Sequence, residues 1–346
     1  MFDIKLLDCT LRDGGFVNDW QFGGENMIGI FEGLAGAGID IIEVGFLDER
    51  RPFDMDRSIM PDTDSVGKLY GNLSPKNALL VGMIDYGTCA LSQIKPRAES
   101  LLDGIRVIFK KHLRVQALRF CAALKQLGYL VFVQPVSITE YSDADVKELA
   151  SLTNGVCPFA LSIVDTYGLL HQEDLLHYFD LFHHVLAPEI RLGFHGHNNF
   201  QMAYANCISM VHAARAAKRP LMLDGSLFGM GKSAGNAPLE LLAQYLNRYE
   251  RKHYNVGELL EVVGKHITKH YQAPCWGYNI FYFLAAANAC HPNYVSYLMQ
   301  QGISLSSAYV LLGKLEKNKS LIFDKAYIEE LCRQHQKEAG YAPLSL

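Results

Sequence analysis

Two histidines separated by one residue, His195 and His197, stand at the end of the apolar run Ile190–His195. In an extended segment residues i and i+2 share a face, so both imidazoles can reach one ion. A carboxylate from another segment would complete a facial set with positions open to water or substrate. Asp13, which follows the first apolar run, is the candidate. Mixed imidazole and carboxylate ligation suits Mn2+, Zn2+, Fe2+ or Mg2+. The plainer reading of an isolated His-x-His pair is two imidazoles hydrogen-bonded at a strand end. Arg12 next to Asp13 adds a guanidinium. With a cation at Asp13 the pair forms a clamp for a small 2-oxo acid, in which Arg12 stabilises a developing enolate. An isolated Arg-Asp pair would otherwise be a surface ion pair in a turn. A third segment, Gly229-Met-Gly-Lys-Ser-Ala-Gly-Asn236, has the glycines of a tight loop whose backbone N–H groups could meet an anion. It lacks P-loop spacing, and its plain alternative is a simple turn.

These residues need a scaffold, and the hydrophobic pattern supplies one. Eight short apolar runs punctuate the chain: Ile4–Cys9, Asp40–Phe46, Ala78–Ile84, Gly104–Phe109, Tyr129–Val136, Phe159–Asp165, Ile190–His195 and Pro220–Asp224. Most are nearly continuous, as expected of parallel strands buried on both faces. Helical patterns lie between them, among them Glu25–Ala37 ending at Gly38, Val115–Leu127 ending at Gly128, and Asp143–Leu152 behind a Ser142 cap. The expected fold is an α/β TIM (β/α)8 barrel over residues 1–250, with a helical C-terminal region over 251–346. A doubly wound sheet would usually carry a Gly-x-Gly-x-x-Gly turn after its first strand, and Asp8-Cys-Thr-Leu-Arg-Asp-Gly-Gly15 is not one. Barrel enzymes work at the C-terminal ends of their strands. Polar residues there include Thr10, Arg12, Asp13, Asp48, Asp85, Tyr86, Thr166, His195 and His197.

The composition agrees with a folded α/β protein. Of 346 residues, 49% are hydrophobic and 20% charged, enough to build a large core. The 32 basic and 36 acidic residues leave a net charge of −4 with no like-charge block, which argues against a nucleic-acid partner. Residues 1–13 carry charge from position 3, against a secretory signal, and no apolar stretch is long enough for a membrane span. Eight scattered cysteines without a Cys-x-x-Cys pair read as small hydrophobes of a reducing cytoplasm.

Leu7-Asp-Cys-Thr-Leu-Arg-Asp-Gly14, Asp165-Thr-Tyr-Gly168, His195-Gly-His-Asn-Asn199 and the 229–236 loop resemble, in order, the motifs of the DRE-TIM metallolyases. The form around Arg12-Asp-Gly14 is most similar to the HMGL-like branch that contains the 4-hydroxy-2-oxovalerate aldolases. The resemblance implies a divalent metal held by Asp13, His195 and His197, with Asn236 as a further or supporting ligand. Manganese is the first expectation, with magnesium, zinc or cobalt as the others. It implies that Arg12 stabilises a pyruvate enolate. It also places Tyr282, in Gly277-Tyr-Asn-Ile-Phe-Tyr-Phe-Leu284, near the aldehyde oxygen. One departure stands out. The family's aldolases carry a proton-moving histidine two residues after the Arg-Asp-Gly motif, and Phe16 occupies that position here. Asp48 is the expected catalytic substitute; Asp19, Tyr86 or a metal-bound water are alternatives. Thr166 and Lys232 are expected to bind substrate. Arg50, Arg51 and Arg57 could meet an acidic or phosphorylated acceptor, or form a solvated loop.

The leading expectation is a metal-dependent aldolase joining or splitting a 2-oxo acid and an aldehyde. A Claisen-type synthase using acetyl-CoA is the enzymatic rival. The third reading is a metal-binding barrel that has lost turnover and acts as a partner protein. The helical tail could pack on the barrel mouth, on a second copy, or on a dehydrogenase that consumes the aldehyde.

Overall fold

All eight apolar runs form strands of one parallel sheet. The computed structural model describes residues 2–271 and 276–338. Its strands are β1 (Ile4–Asp8), β2 (Ile41–Leu47), β3 (Ile59–Met60), β4 (Leu79–Asp85), β5 (Gly104–Phe109), β6 (Leu130–Pro135), β7 (Ala160–Asp165), β8 (Arg191–Gly196) and β9 (Leu221–Gly225). The order runs β1-β9-β8-β7-β6-β5-β4-β2, and β1 pairs back onto β2 through Leu7↔Ile41 and Asp8↔Ile42. The sheet is thus a closed barrel of the TIM type, as the pattern predicted. The two-residue β3 pairs with the end of β2 (Phe46↔Ile59) outside the barrel; it is too short to show in the hydrophobic pattern.

Helices cover the outside. Gly24–Ala37 ends at Gly38 with φ of 79°, a left-handed C-cap. Asp143–Val156 starts from a Ser142–Asp145 capping box. Buried side chains from strands and helices form one large apolar cluster that extends to Leu259, Val262 and Trp276. Inside the barrel, Leu7, Ile41, Val81, Phe132 and Met222 form a separate apolar layer. At other interior positions the residues are charged: Glu43, Arg106 and Asp224 are almost fully buried.

Beyond the helix Leu239–Glu250 the chain stays helical. Helices Ile280–Ala287, Pro292–Gln300, Leu305–Leu312 and Lys325–Glu338 share a second apolar cluster around Tyr294, Leu298, Leu311 and Ile328. This unit touches the barrel beside Tyr167, whose hydroxyl donates to the Leu321 carbonyl at 3.3 Å and whose ring lies 6.2 Å from that of His291. Among the described residues no helix is long and apolar enough to cross a membrane.

Candidate metal and substrate site

The end of β1 turns directly into a short helix, Thr10–Asp13, and that turn is tied down on all sides. Asp8 accepts from the Thr10 N–H (3.0 Å) and hydroxyl (2.6 Å), and Thr10 Oγ1 accepts from the Leu227 N–H just past the neighbouring strand β9 (2.8 Å). Burial pushes the Asp8 carboxyl up to about 7 against those hydrogen bonds. The Trp20 indole donates to the Arg12 carbonyl at 2.7 Å. A side chain at Gly15 would overlap that indole, with a Cβ only 2.0 Å from Trp20 Cδ1, so the turn needs glycine there. The result fixes Arg12 and Asp13 at the barrel mouth, both buried.

Asp13 meets the two histidines. His197 Nε2 lies 3.2 Å from Asp13 Oδ2, and the imidazole rings of His195 and His197 are 5.2 Å apart and perpendicular. Among the described residues, Asp13, His195 and His197 are the one group of ligand-type side chains gathered closely enough to hold an ion, within 4.8 Å of one another. Each histidine is oriented through Nδ1. In His195 it donates to Asp224 Oδ2 at 3.1 Å, and in His197 to the Asp165 carbonyl at 3.3 Å. This pattern, in which Nδ1 is held by an oxygen and Nε2 is left for the ligand, is typical of metal-binding histidines. Burial disfavours the Asp13 carboxylate, but Arg12 and the histidines outweigh it and hold Asp13 well below the usual range. Burial also lowers the His195 pKa, against the pull of Asp224, which keeps the imidazole in its ligating form.

Asn236 approaches from the loop after β9. Its Nδ2 donates to Asp13 Oδ2 at 2.7 Å, while its buried Oδ1 has no hydrogen-bond partner. The loop pairs with the strand-eight extension through a His197↔Asn236 bridge. Gly231 lets it come close: a Cβ there would lie 2.3 Å from Asn236 Nδ2 and 2.8 Å from Asp13 Oδ2. An orphaned amide oxygen, one carboxylate and two oriented imidazoles fit a divalent cation, and no thiolate is among them.

The Asp13–His195–His197 group continues inward as a string of buried charges. Arg12 donates to Asp13 Oδ1 at 2.5 Å and to Glu43 Oε2 at 2.9 Å. Arg106 Nη1 lies 3.0 Å from the same Glu43 oxygen, and Arg106 Nη2 donates to Asp224. Asp224 in turn holds His195. Burial opposes the charge on Arg12, but Glu43 and Asp13 more than offset it and its pKa is raised. Glu43 was visible in the sequence as a charge inside an apolar run; Arg106 and Asp224 were not singled out for the site. A lone charge inside an apolar strand, as in Gly-Ile-Arg-Val-Ile-Phe109, was the available signal.

Arg12, Asp13, His195 and His197 line a cavity of about 470 Å³, its open mouth included, together with Phe16, Phe46, Gln134, Thr166 and Lys232. Thr166 Oγ1 accepts from the Ser137 N–H at 2.7 Å. Phe16 stacks edge-on against Trp20, with centroids 4.8 Å apart, and forms an aromatic corner with Phe46. The place of the expected histidine is thus an apolar wall. Tyr282 is not on this cavity; it lines a neighbouring one that shares Phe16 and Lys232 with it. Asp48 is not brought to either, because Arg50 grips its carboxylate at 2.8 and 2.7 Å and lowers its pKa. Asp19 is held by Arg57 at 2.6 Å. Tyr86 and Asp85 also stand outside the site cavity.

The strand ends of this parallel barrel gather an arginine, an aspartate and a His-x-His pair; residues 108–263 match the HMGL-like family, and the relatives mark the chain as an aldolase-class enzyme, a carbon–carbon lyase. Its relatives include the 4-hydroxy-2-oxovalerate aldolase of Shewanella halifaxensis, 25% identical over 280 residues that cover 78% of each chain. 4-Hydroxy-2-oxovalerate aldolase 2 of Comamonas testosteroni is 27% identical over 249 residues, 69% of this chain and 67% of that one. In three dimensions the chain resembles the N-terminal domain of a Bacteroides vulgatus protein provisionally named an aldolase. The TM-score is 0.71 at 22% identity, over 88% of this chain and 98% of that one.

Proposed function

We propose that the protein is a divalent-metal-dependent aldolase that makes or breaks a carbon–carbon bond between a pyruvate-type 2-oxo acid and an aldehyde. The observation that carries this reading is the buried Asp13–His195–His197 group with Arg12 bound to its carboxylate. A bound divalent cation supplies a Lewis acid for the carboxylate and keto oxygens of the 2-oxo acid. Oxygen and nitrogen donors without thiolate suit manganese, and also magnesium, cobalt or zinc.

The chain's own residues do the rest. Asp13, His195 and His197 hold the cation, with Asn236 presenting its free amide oxygen beside them. Arg12, fixed between Glu43 and Asp13, sets a guanidinium where negative charge gathers on the enolate oxygen. The Thr166 hydroxyl, accepting from Ser137, keeps its own proton to donate to the substrate carboxylate. In the cleavage direction the C4 hydroxyl passes its proton to solvent water and the C3–C4 bond breaks. The electron pair passes to C3 as the enolate, the aldehyde departs, and C3 takes a proton. Tyr282, across the shared wall from the cation-binding group, is the hydroxyl assigned to the aldehyde oxygen. Asp48 has no part in this scheme, because Arg50 occupies it. Residues 1–250 form the catalytic unit in this reading, and residues 251–346 contribute Tyr282. Seven free cysteines among the described residues, five of them buried, suit a reducing cytoplasm.

Proton exchange at pyruvate C3 in D2O, followed by NMR with a panel of divalent metals, tests the reading. Metal-dependent exchange that disappears in His195→Ala supports it. Exchange that persists in His195→Ala without bound metal overturns it.

A further inference from the structure

The arginines at the site and in the loop beside it are answered by carboxylates. Arg12 and Arg106 share Glu43 and reach Asp13 and Asp224; Arg50 holds Asp48; Arg57 holds Asp19. Lys232 differs. Among the described residues its ammonium makes no hydrogen bond or ion pair. It lies instead over two aromatic rings, 5.5 Å from the centroid of Phe16 and 5.9 Å from that of Tyr167. It is half-buried, so water solvates it only in part. Aromatic faces stabilise such a charge modestly, and a bound anion does so far better.

Its position narrows what that anion can be. Lys232 borders the cation-site cavity and also the neighbouring one, whose wall includes Ser233, Trp276 and Tyr282. That second cavity holds about 540 Å³, its open side included, and the side chains of Lys232, Ser233 and Tyr282 give it a polar lining. The first cavity already has, in Arg12, Thr166 and the cation-binding group, what a three-carbon 2-oxo acid requires. The second cavity is where the other reactant must enter, and its entry is marked by an unanswered positive charge.

We infer that the acceptor is an anionic aldehyde, bearing a carboxylate or phosphate, and that Lys232 at the seam of the two cavities recognises its charge. The inference rests on the aldolase reading above. Lys232 is a specificity residue here: it meets the charged end of the acceptor and takes no part in bond-making. Phe16 supports the same division of labour, because an aromatic face at that position flanks the ammonium and offers no group of its own to titrate.

The experiment measures kcat/KM for condensation with pyruvate, using the full chain loaded with Mn2+ and matched aldehydes. Succinic semialdehyde is compared with butyraldehyde, and glyceraldehyde 3-phosphate with glyceraldehyde; the two pairs distinguish a carboxylate from a phosphate. A charge-assisted contact predicts a preference of about tenfold to a hundredfold for the anionic member of at least one pair. Lys232→Met should bring that ratio close to one, and Lys232→Arg should keep most of it. The ratio is read rather than the rate, so a loss common to both members does not count. A wild-type ratio near one, or a preference that survives in Lys232→Met, overturns the inference. Pyruvate exchange in D2O is run alongside: exchange without anion preference sinks this inference alone, and no exchange sinks it together with the aldolase reading.

Discussion

Two of the protein's sets of arginine–carboxylate pairs do different things. In the barrel centre, Arg12 and Arg106 link Asp13, Glu43 and Asp224 in a string that ends on His195, and all are buried. In the loop after β2, Arg50, Arg51 and Arg57 pair with Asp48, Asp19 and Asp54 in partly or largely exposed positions. The shorter loop contacts, at 2.6 and 2.7 Å, match those of the string in length. Their surroundings differ, and that decides their value. Exposed pairs are screened by water and salt and contribute about 0–1 kcal/mol. Buried pairs add little net stability against an apolar replacement, yet removing one partner is costly because it strands the other charge. The central string therefore fixes geometry, and the loop pairs mainly keep the surface soluble.

The comparison can be broken at either end. The largest effect is expected at the cation-binding group. Chelation of metal, or Asp13→Ala, removes Lewis-acid stabilisation worth several kcal/mol, so pyruvate exchange should fall by about 10³-fold or more. Exchange measured by NMR before and after chelation and metal restoration checks this. Next, Arg106→Leu leaves Glu43 with Arg12 as its one cation and Asp224 with only the His195 imidazole in the barrel centre, and should destabilise the fold by about 3–5 kcal/mol, read as a lower urea midpoint. A loss below 1 kcal/mol would mean that the string is not integral to the barrel. Arg12→Lys keeps a charge but loses the forked contact with Glu43 and Asp13. It should lower the exchange rate by about 10²–10³ while leaving the protein folded by circular dichroism. The smallest effect belongs to the loop: Arg57→Ala should change stability by no more than about 1 kcal/mol and leave exchange at the wild-type rate. A catalytic defect in that variant would erase the contrast between the two regions.

The scaffold was readable because its strands are buried on both faces. Each run of Val, Ile and Leu has few other places to go, and eight of them with helices between admit few architectures. The Asp13, His195 and His197 group was readable because strand ends in such a barrel converge, although 184 residues separate Asp13 from His197. The string behind it was not. Which face of an interior strand a single charge occupies depends on its partners across the barrel, and Arg106 and Asp224 are 118 residues apart. Asp48 shows the opposite difficulty. It sits at a strand end, where reactive groups gather, but its neighbour Arg50 claims it two residues later, a local contact that overrides the position. Phe16 leaves a chemical vacancy in the sequence pattern, and the structure fills it with an aromatic corner shared with Trp20 and Phe46.

The seam of the barrel has one further consequence. Asp13 follows the first strand, the histidines come from the eighth and Asn236 follows the ninth, and β1 lies directly against β9. Asn236 and Asp13 are 223 residues apart in the chain. A growing polypeptide therefore carries its carboxylate ligand long before the imidazoles that complete the set exist. In the proposed reading a cation would meet its full ligand set after the last strand has docked, so its capture would report on finished folding. A refolding experiment would see it as the slow, final phase, as expected of contacts between distant parts of a chain.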